Sequence, residues 1–90
     1  MASVEMGELA ARLYGRLGPR LPEQGRRDIE TLIREDAYVA VSDLLFFGID
    51  HNDLKSDEVQ SGIALARSGQ FWKLGDWVLE RLTDYQKHAA

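Results

Sequence analysis

Apolar residues recur along this chain at helical spacing, and polar punctuation separates the stretches in which they do so. Met6, Leu9, Leu13 and Leu17 form one stripe, with Ala10 and Tyr14 beside it. That repeat of three and four predicts an amphipathic helix from just after Ser3, a suitable N-cap, to about Leu17. Gly18-Pro19 is expected to stop it, glycine by a left-handed cap and proline by being unable to continue. Pro22 and Glu23 suit the first turn of a second helix, whose inner face is Ile29, Leu32 and Ile33. Asp36 marks a break, after which Tyr38, Val41, Leu44, Leu45 and Phe47 open a new apolar set. Tyr38-Val39-Ala40-Val41 could also read as a strand, but one isolated strand would have no partner, so helix is the reading taken. The segment from Gly48 to Lys55 reads as the one real loop, and Ser56 as the cap of a fourth helix. Val59, Ile63 and Ala66 face inward there, and Gly69 ends it. A fifth helix is expected from about Gln70 to Tyr85, on the stripe Phe71, Leu74, Val78, Leu82 and Tyr85. The fold class is therefore all-α: a small single-domain bundle of four to five short helices spanning residues 1–90, with an ordered core of about 4–85.

Length bounds what such a bundle can be. Ninety residues leave no room for a second core. With no cysteine and two distant histidines, neither a disulfide nor a metal staple is available, and packing must supply the stability. The N-terminus has neither the basic nor the apolar region of a signal peptide. The run Leu44 to Ile49 is far short of the ~20 residues of a membrane span. A cytoplasmic protein without a membrane segment is the expectation.

Charge changes the picture more than composition does. The net charge is −4, but residues 28–58 alone hold nine acids against Arg34 and Lys55. Such a segment repels phosphate and attracts basic protein surfaces, so the expected partner is a protein and not a nucleic acid. Arg12, Arg16 and Arg20 repeat every four residues near the first helix, and Arg26 and Arg27 add to that patch. Without a helix-turn-helix signature they read as helical arginines paired with Glu5, Glu8 and Glu23 or simply solvated.

Chemistry was sought and not found. His51 and His88 have no partner at metal-ligand spacing. The loop Asp50-His51-Asn52-Asp53 starts like a calcium loop but places Leu54, Lys55 and Ser61 where an oxygen ligand, glycine and glutamate are required. No phosphate-binding glycine motif is present. Asp28, Glu35, Asp36 and Asp43 could pair as acid and base, but a 90-residue bundle rarely encloses a pocket of the size a catalytic site needs. The expectation is a non-enzyme with no cofactor and no metal. The aromatics are more informative. In the adjacent pairs Phe46-Phe47 and Phe71-Trp72, neighbours point about 100° apart, so one member of each must sit at the core's edge or outside it. Exposed aromatics beside acids are the usual make-up of a protein-binding hot spot.

Residues 9–78 resemble the MafI-type immunity proteins, small acidic helical partners of secreted bacterial toxins. The resemblance is carried by the leucine stripe Leu9, Leu13, Leu17, then "LPEQGRRDIETLI" (21–33), "REDAYVAVSDLL" (34–45), an Ile-Asp loop and "SDEVQSGIALARSGQFW" (56–72). Phe46-Phe47-Gly48 stands where the family often has a second acidic-aromatic pair. The resemblance implies inhibition of a basic toxin domain by occlusion of its active surface, without cofactor or turnover. On that reading Asp36, Asp43, Asp50, Asp53 and Asp57 are the steering and contact charges, and Tyr38, Phe47 and Trp72 the apolar anchors. The alternative is a helical adaptor or self-associating structural subunit. A monomer or weak homodimer is expected.

Overall fold

The computed structural model describes residues 3–88, and every residue of the five helices lies within that span. α1 (Val4–Leu17) begins where Ser3 accepts a hydrogen bond from the Met6 amide at 3.1 Å. α2 (Glu23–Glu35) starts after Pro22, and α3 (Ala37–Asp50) follows across the single residue Asp36. α4 (Ser56–Arg67) and α5 (Gly75–His88) complete the bundle, and there are no strands among the described residues. The all-α expectation holds, and Tyr38 to Val41 is helix as argued.

α3 is the centre of the molecule. It packs on α1, α2 and α5, and it buries Ala37, Ala40, Val41, Ser42, Leu44, Leu45 and Gly48. Its one buried hydroxyl, Ser42, donates to the Tyr38 carbonyl one turn back at 2.8 Å, so no polar group is stranded. Leu13 and Leu17 of α1, Val78 and Leu82 of α5 and the Phe71 ring fill the space around Leu44 and Leu45. α4 closes the other side against α5 and α1. α2 is the most peripheral helix: Ile29 is buried, whereas Leu32 and Ile33 are only half-buried.

Four boundaries differ from the sequence expectation, each for a local reason. Gly18 is right-handed (φ −52°), not a left-handed cap, and the chain passes through one 3-10 turn, Gly18–Arg20. Glycine is needed there because a Cβ would meet the Tyr14 ring at 2.9 Å. α3 continues through Gly48 to Asp50, so the loop is only His51–Lys55. Its end is a Schellman motif: Asn52 takes the left-handed position (φ 50°) and donates to Ile49 O at 3.1 Å, and Asp53 donates to Gly48 O at 2.7 Å. Ser56 is the first residue of α4 and not its cap. Lys55 holds the capping position, and its amide donates to the Glu58 carboxylate at 2.8 Å. The fifth α-helix begins at Gly75, because Gly69 (φ 79°) and Trp72 (φ 53°) both adopt left-handed backbone that an α-helix cannot contain.

The glycines give a prediction of opposite signs. A Cβ at Gly15 would meet nothing within 4 Å, so Gly15→Ala is expected to stabilise by ~0.5–1 kcal/mol through backbone entropy alone. At Gly48 the same methyl would come within 2.7 Å of Leu54 Cγ and 3.3 Å of the Asp53 carbonyl oxygen. The collision outweighs the helix-propensity gain, and Gly48→Ala should destabilise by ~1–3 kcal/mol. Urea titration of the two variants checks both signs.

Candidate functional site

The eight residues singled out from the sequence fall into two separate groups. Phe47, Asp50, Asp53 and Asp57 lie near the end of α3, the following loop and the start of α4. Asp36, Tyr38 and Trp72 lie together at another place, around a cleft at the α2–α3 corner. Asp43 is exposed on α3, on the same helical stripe as Phe47 and Asp50 and away from the cleft.

In the first group the chain answers its own charges. Arg12 and Arg16 of α1 and Arg20 of the following 3-10 turn all face the loop: Arg12 pairs with Asp57, Arg16 with Asp53 at 2.8 Å and with Glu58, and Arg20 with Asp53. Arg81 of α5 pairs with Asp50 at 3.0 Å. The local pairing with Glu5, Glu8 and Glu23 expected from sequence is therefore wrong for Arg12, Arg16 and Arg20, whose partners lie 33 to 45 positions away. The aromatics are engaged as well. Arg20 lies over the Phe47 ring at 5.7 Å, Phe47 stacks on His51 at 4.0 Å, and Arg81 lies over Phe46 at 4.9 Å. Phe46 in turn packs on the half-exposed Trp77, with ring centroids 4.7 Å apart.

Glu58 is the centre of this network and was not among the residues singled out. It is fully buried, accepts from Arg16 Nε at 2.9 Å and from the Lys55 amide, and so joins α1 to the start of α4. The hydrogen bond from Arg16 holds Asp53 below the usual aspartate range against the opposing effect of desolvation, and Arg20 adds to the lowering. At Asp57 desolvation pushes upward, but Arg12 and nearby backbone amides outweigh it and the net shift is down. Asp43, with no such partner among the described residues, is shifted up by partial burial. A depressed carboxylate stabilises the fold above its unfolded-state value of about 3.9 and loses that contribution as pH falls through the folded value. Asp53→Asn should therefore be less stable than wild type at pH 6, with the gap narrowing toward pH 2.5. A gap that stays constant in urea titrations across that range would contradict this pairing.

The cleft differs on every count. It has a volume of about 790 Å³ and is bounded by Ser3 and Met6 of α1's start, by Ile33 to Tyr38 across the α2–α3 corner, and by Gly69, Gln70 and Trp72. The Ser3 hydroxyl donates to the Gln70 side chain and ties the start of α1 to the α4–α5 connection at its edge. Glu35 and Asp36 are exposed, and neither carries an ion pair among the described residues. Tyr38 is half-buried in the lining.

Trp72 is the most unusual residue in the molecule. Trp72 is 76% exposed while its neighbour Phe71 is 0% exposed; one of the pair lies outside the core as expected, but from a turn and a 3-10 segment and not from an α-helix. The Trp72 backbone is left-handed, a conformation that is a genuine outlier for a bulky residue and costs on the order of 1–3 kcal/mol. The position is fixed from both sides: the Trp72 amide donates to Gly69 O at 3.3 Å, and the Leu74 amide to Phe71 O at 2.9 Å. Neither burial nor hydrogen bonding of the indole compensates the strain within the described residues.

Among the described residues no group of histidines and carboxylates is arranged to hold a metal, and no helix is long and apolar enough to cross a membrane. No family model, curated protein or solved structure matches this chain.

Proposed function

We propose that this chain is a binding domain of the immunity type, which neutralises a basic bacterial toxin domain by covering its active surface, and that it docks through the cleft at the α2–α3 corner. The observation that carries the reading is Trp72: a large indole held out in solvent on strained backbone, beside an aromatic residue and two unpaired carboxylates. Exposed tryptophan is costly in a free monomer and is the residue type most enriched at binding hot spots. The resemblance of residues 9–78 to MafI-type proteins supplies the partner class.

Asp36, Tyr38 and Trp72 then form the contact, with Glu35 added. Asp50, Asp53 and Asp57 have another part. Each is matched by an arginine of this chain, so their outward field is largely cancelled. Asp43 and Glu35 remain as steering charges. With four of the nine acids of residues 28–58 matched, the electrostatic acceleration of binding is modest, and its salt dependence is set by Asp28, Glu30, Glu35, Asp36 and Asp43 and not by the whole acidic segment.

The test is co-expression with a basic toxin domain captured as the partner of this chain from its source organism. Restored growth, with a complex of the two chains isolated in equal amounts, is the expected result. Undiminished toxicity at equal expression would reject the immunity reading.

A further inference from the structure

We infer that the occupant of the cleft is a cationic side chain, an arginine or lysine projecting from the partner, held between the Trp72 and Tyr38 rings and the Glu35 and Asp36 carboxylates. This rests on the reading that the cleft docks a protein, and it specifies which chemical group enters.

The reasoning starts from charge placement on α2. Its C-terminus carries the negative end of the helix dipole, where lysine and arginine are favoured and carboxylates are not. This chain places Glu35 in the last turn of α2 and Asp36 directly after it, both exposed. Asp36 also precedes α3, whose positive end steadies it, but Glu35 has no such relief. Arg34 lies on the same lining without pairing to either carboxylate. Two carboxylates without an ion pair among the described residues therefore border a cleft that also carries the Tyr38 and Trp72 rings beside Met6, Ile33 and Gln70. Aromatic faces attract cations through their quadrupole, most strongly tryptophan and best when water is excluded. The same molecule shows this preference twice elsewhere, where Arg20 and Arg81 cover Phe47 and Phe46 at 5.7 and 4.9 Å. At those places the chain covers the ring with its own cation; at the cleft Arg34 is on the lining but, among the described residues, is neither paired with a carboxylate nor placed over a ring. An apolar occupant would leave the two carboxylates facing it without a partner, and an acidic one would be repelled.

The experiment uses the full chain and two small probes: acetyl-glycyl-arginyl-glycine amide and its citrulline counterpart, which has the same shape without the charge. Binding is followed by NMR at the Trp72 indole and Tyr38 ring resonances. The expected result is saturable shifts for the arginine probe with a dissociation constant on the order of 1 mM, as a cation–aromatic contact and two carboxylate contacts supply together. The citrulline probe should bind at least tenfold more weakly, and Asp36→Asn should weaken arginine binding about fivefold. Equal shifts from both probes would identify an apolar or hydrogen-bonding occupant and overturn the inference. So would shifts at these resonances that follow protein dilution without probe, which would make a second copy the occupant. If the toxin domain binds in a Trp72-dependent way while the arginine probe neither binds nor competes, the inference fails and the proposed function stands. If the probe binds as expected and no toxin is neutralised, the cleft chemistry stands and the immunity reading fails.

Discussion

Arg16→Met should destabilise the domain by about 3–5 kcal/mol, the largest single effect expected outside the hydrophobic core. Glu58 is 0% exposed, and Arg16 is the cation that answers its charge. Methionine keeps most of the arginine stem's packing, so the loss isolates the stranded carboxylate. Removing the other partner is expected to cost less. In Glu58→Gln the guanidinium retains Asp53 at 2.8 Å and is still 24% exposed to water, so about 1–2 kcal/mol should be lost, in part from the weakened cap on the Lys55 amide. Replacing both, as Arg16→Met with Glu58→Leu, should recover most of the stability, because two well-packed apolar side chains can substitute for a buried ion pair. Urea titrations of the three variants give the ordering directly. Equal losses for the two single variants would mean that Glu58 is not stranded when Arg16 is absent, and the network would not have the role assigned to it.

The second large effect is on binding and not on stability. Trp72→Gly should weaken association with the partner by at least 30-fold, the loss expected of a hot-spot aromatic. The same change should leave thermal stability unchanged or raise it by ~1 kcal/mol, because glycine adopts φ 53° without strain and little buried area is lost. Trp72→Ala keeps the strain and loses the ring, so it should weaken binding similarly without any gain in stability. A variant at once more stable and less able to bind is the signature of a residue kept for function.

Much of this was legible in the sequence. The stripes Met6-Leu9-Leu13-Leu17 and Val78-Leu82 are core, as period alone requires, and Asp36 breaks the chain where the apolar set changes. Period could not locate the ends of α3 and α5. Gly48 reads as a helix breaker, yet it is a helical residue whose missing side chain admits Leu54, and that contact is tertiary. Phe71 continues the stripe of α5 on paper; in space it plugs the core from a turn, and Trp72 beside it takes a backbone conformation that no spacing rule reports. The site divides in the same way. Helix spacing leads to the expectation that one member of the pair Phe71-Trp72 is exposed, but the pair sits in a turn, and the sorting of acids into matched and unmatched follows from no spacing rule. The spacing of Arg12, Arg16 and Arg20 held the signal: a cationic ridge on one helix face and an acidic segment elsewhere in the chain are complementary, and local pairing with glutamates was the wrong partner choice.

Calorimetric titration of the proposed partner, a basic toxin domain, against wild type and Trp72→Gly, with the melting temperature of each variant measured alongside, tests the central claim most directly. The expected result is a one-to-one complex for wild type and at least 30-fold weaker binding for a Trp72→Gly variant that melts no lower. Undiminished binding by that variant would contradict docking through the cleft, and absence of binding by the wild-type chain would contradict the proposed function itself.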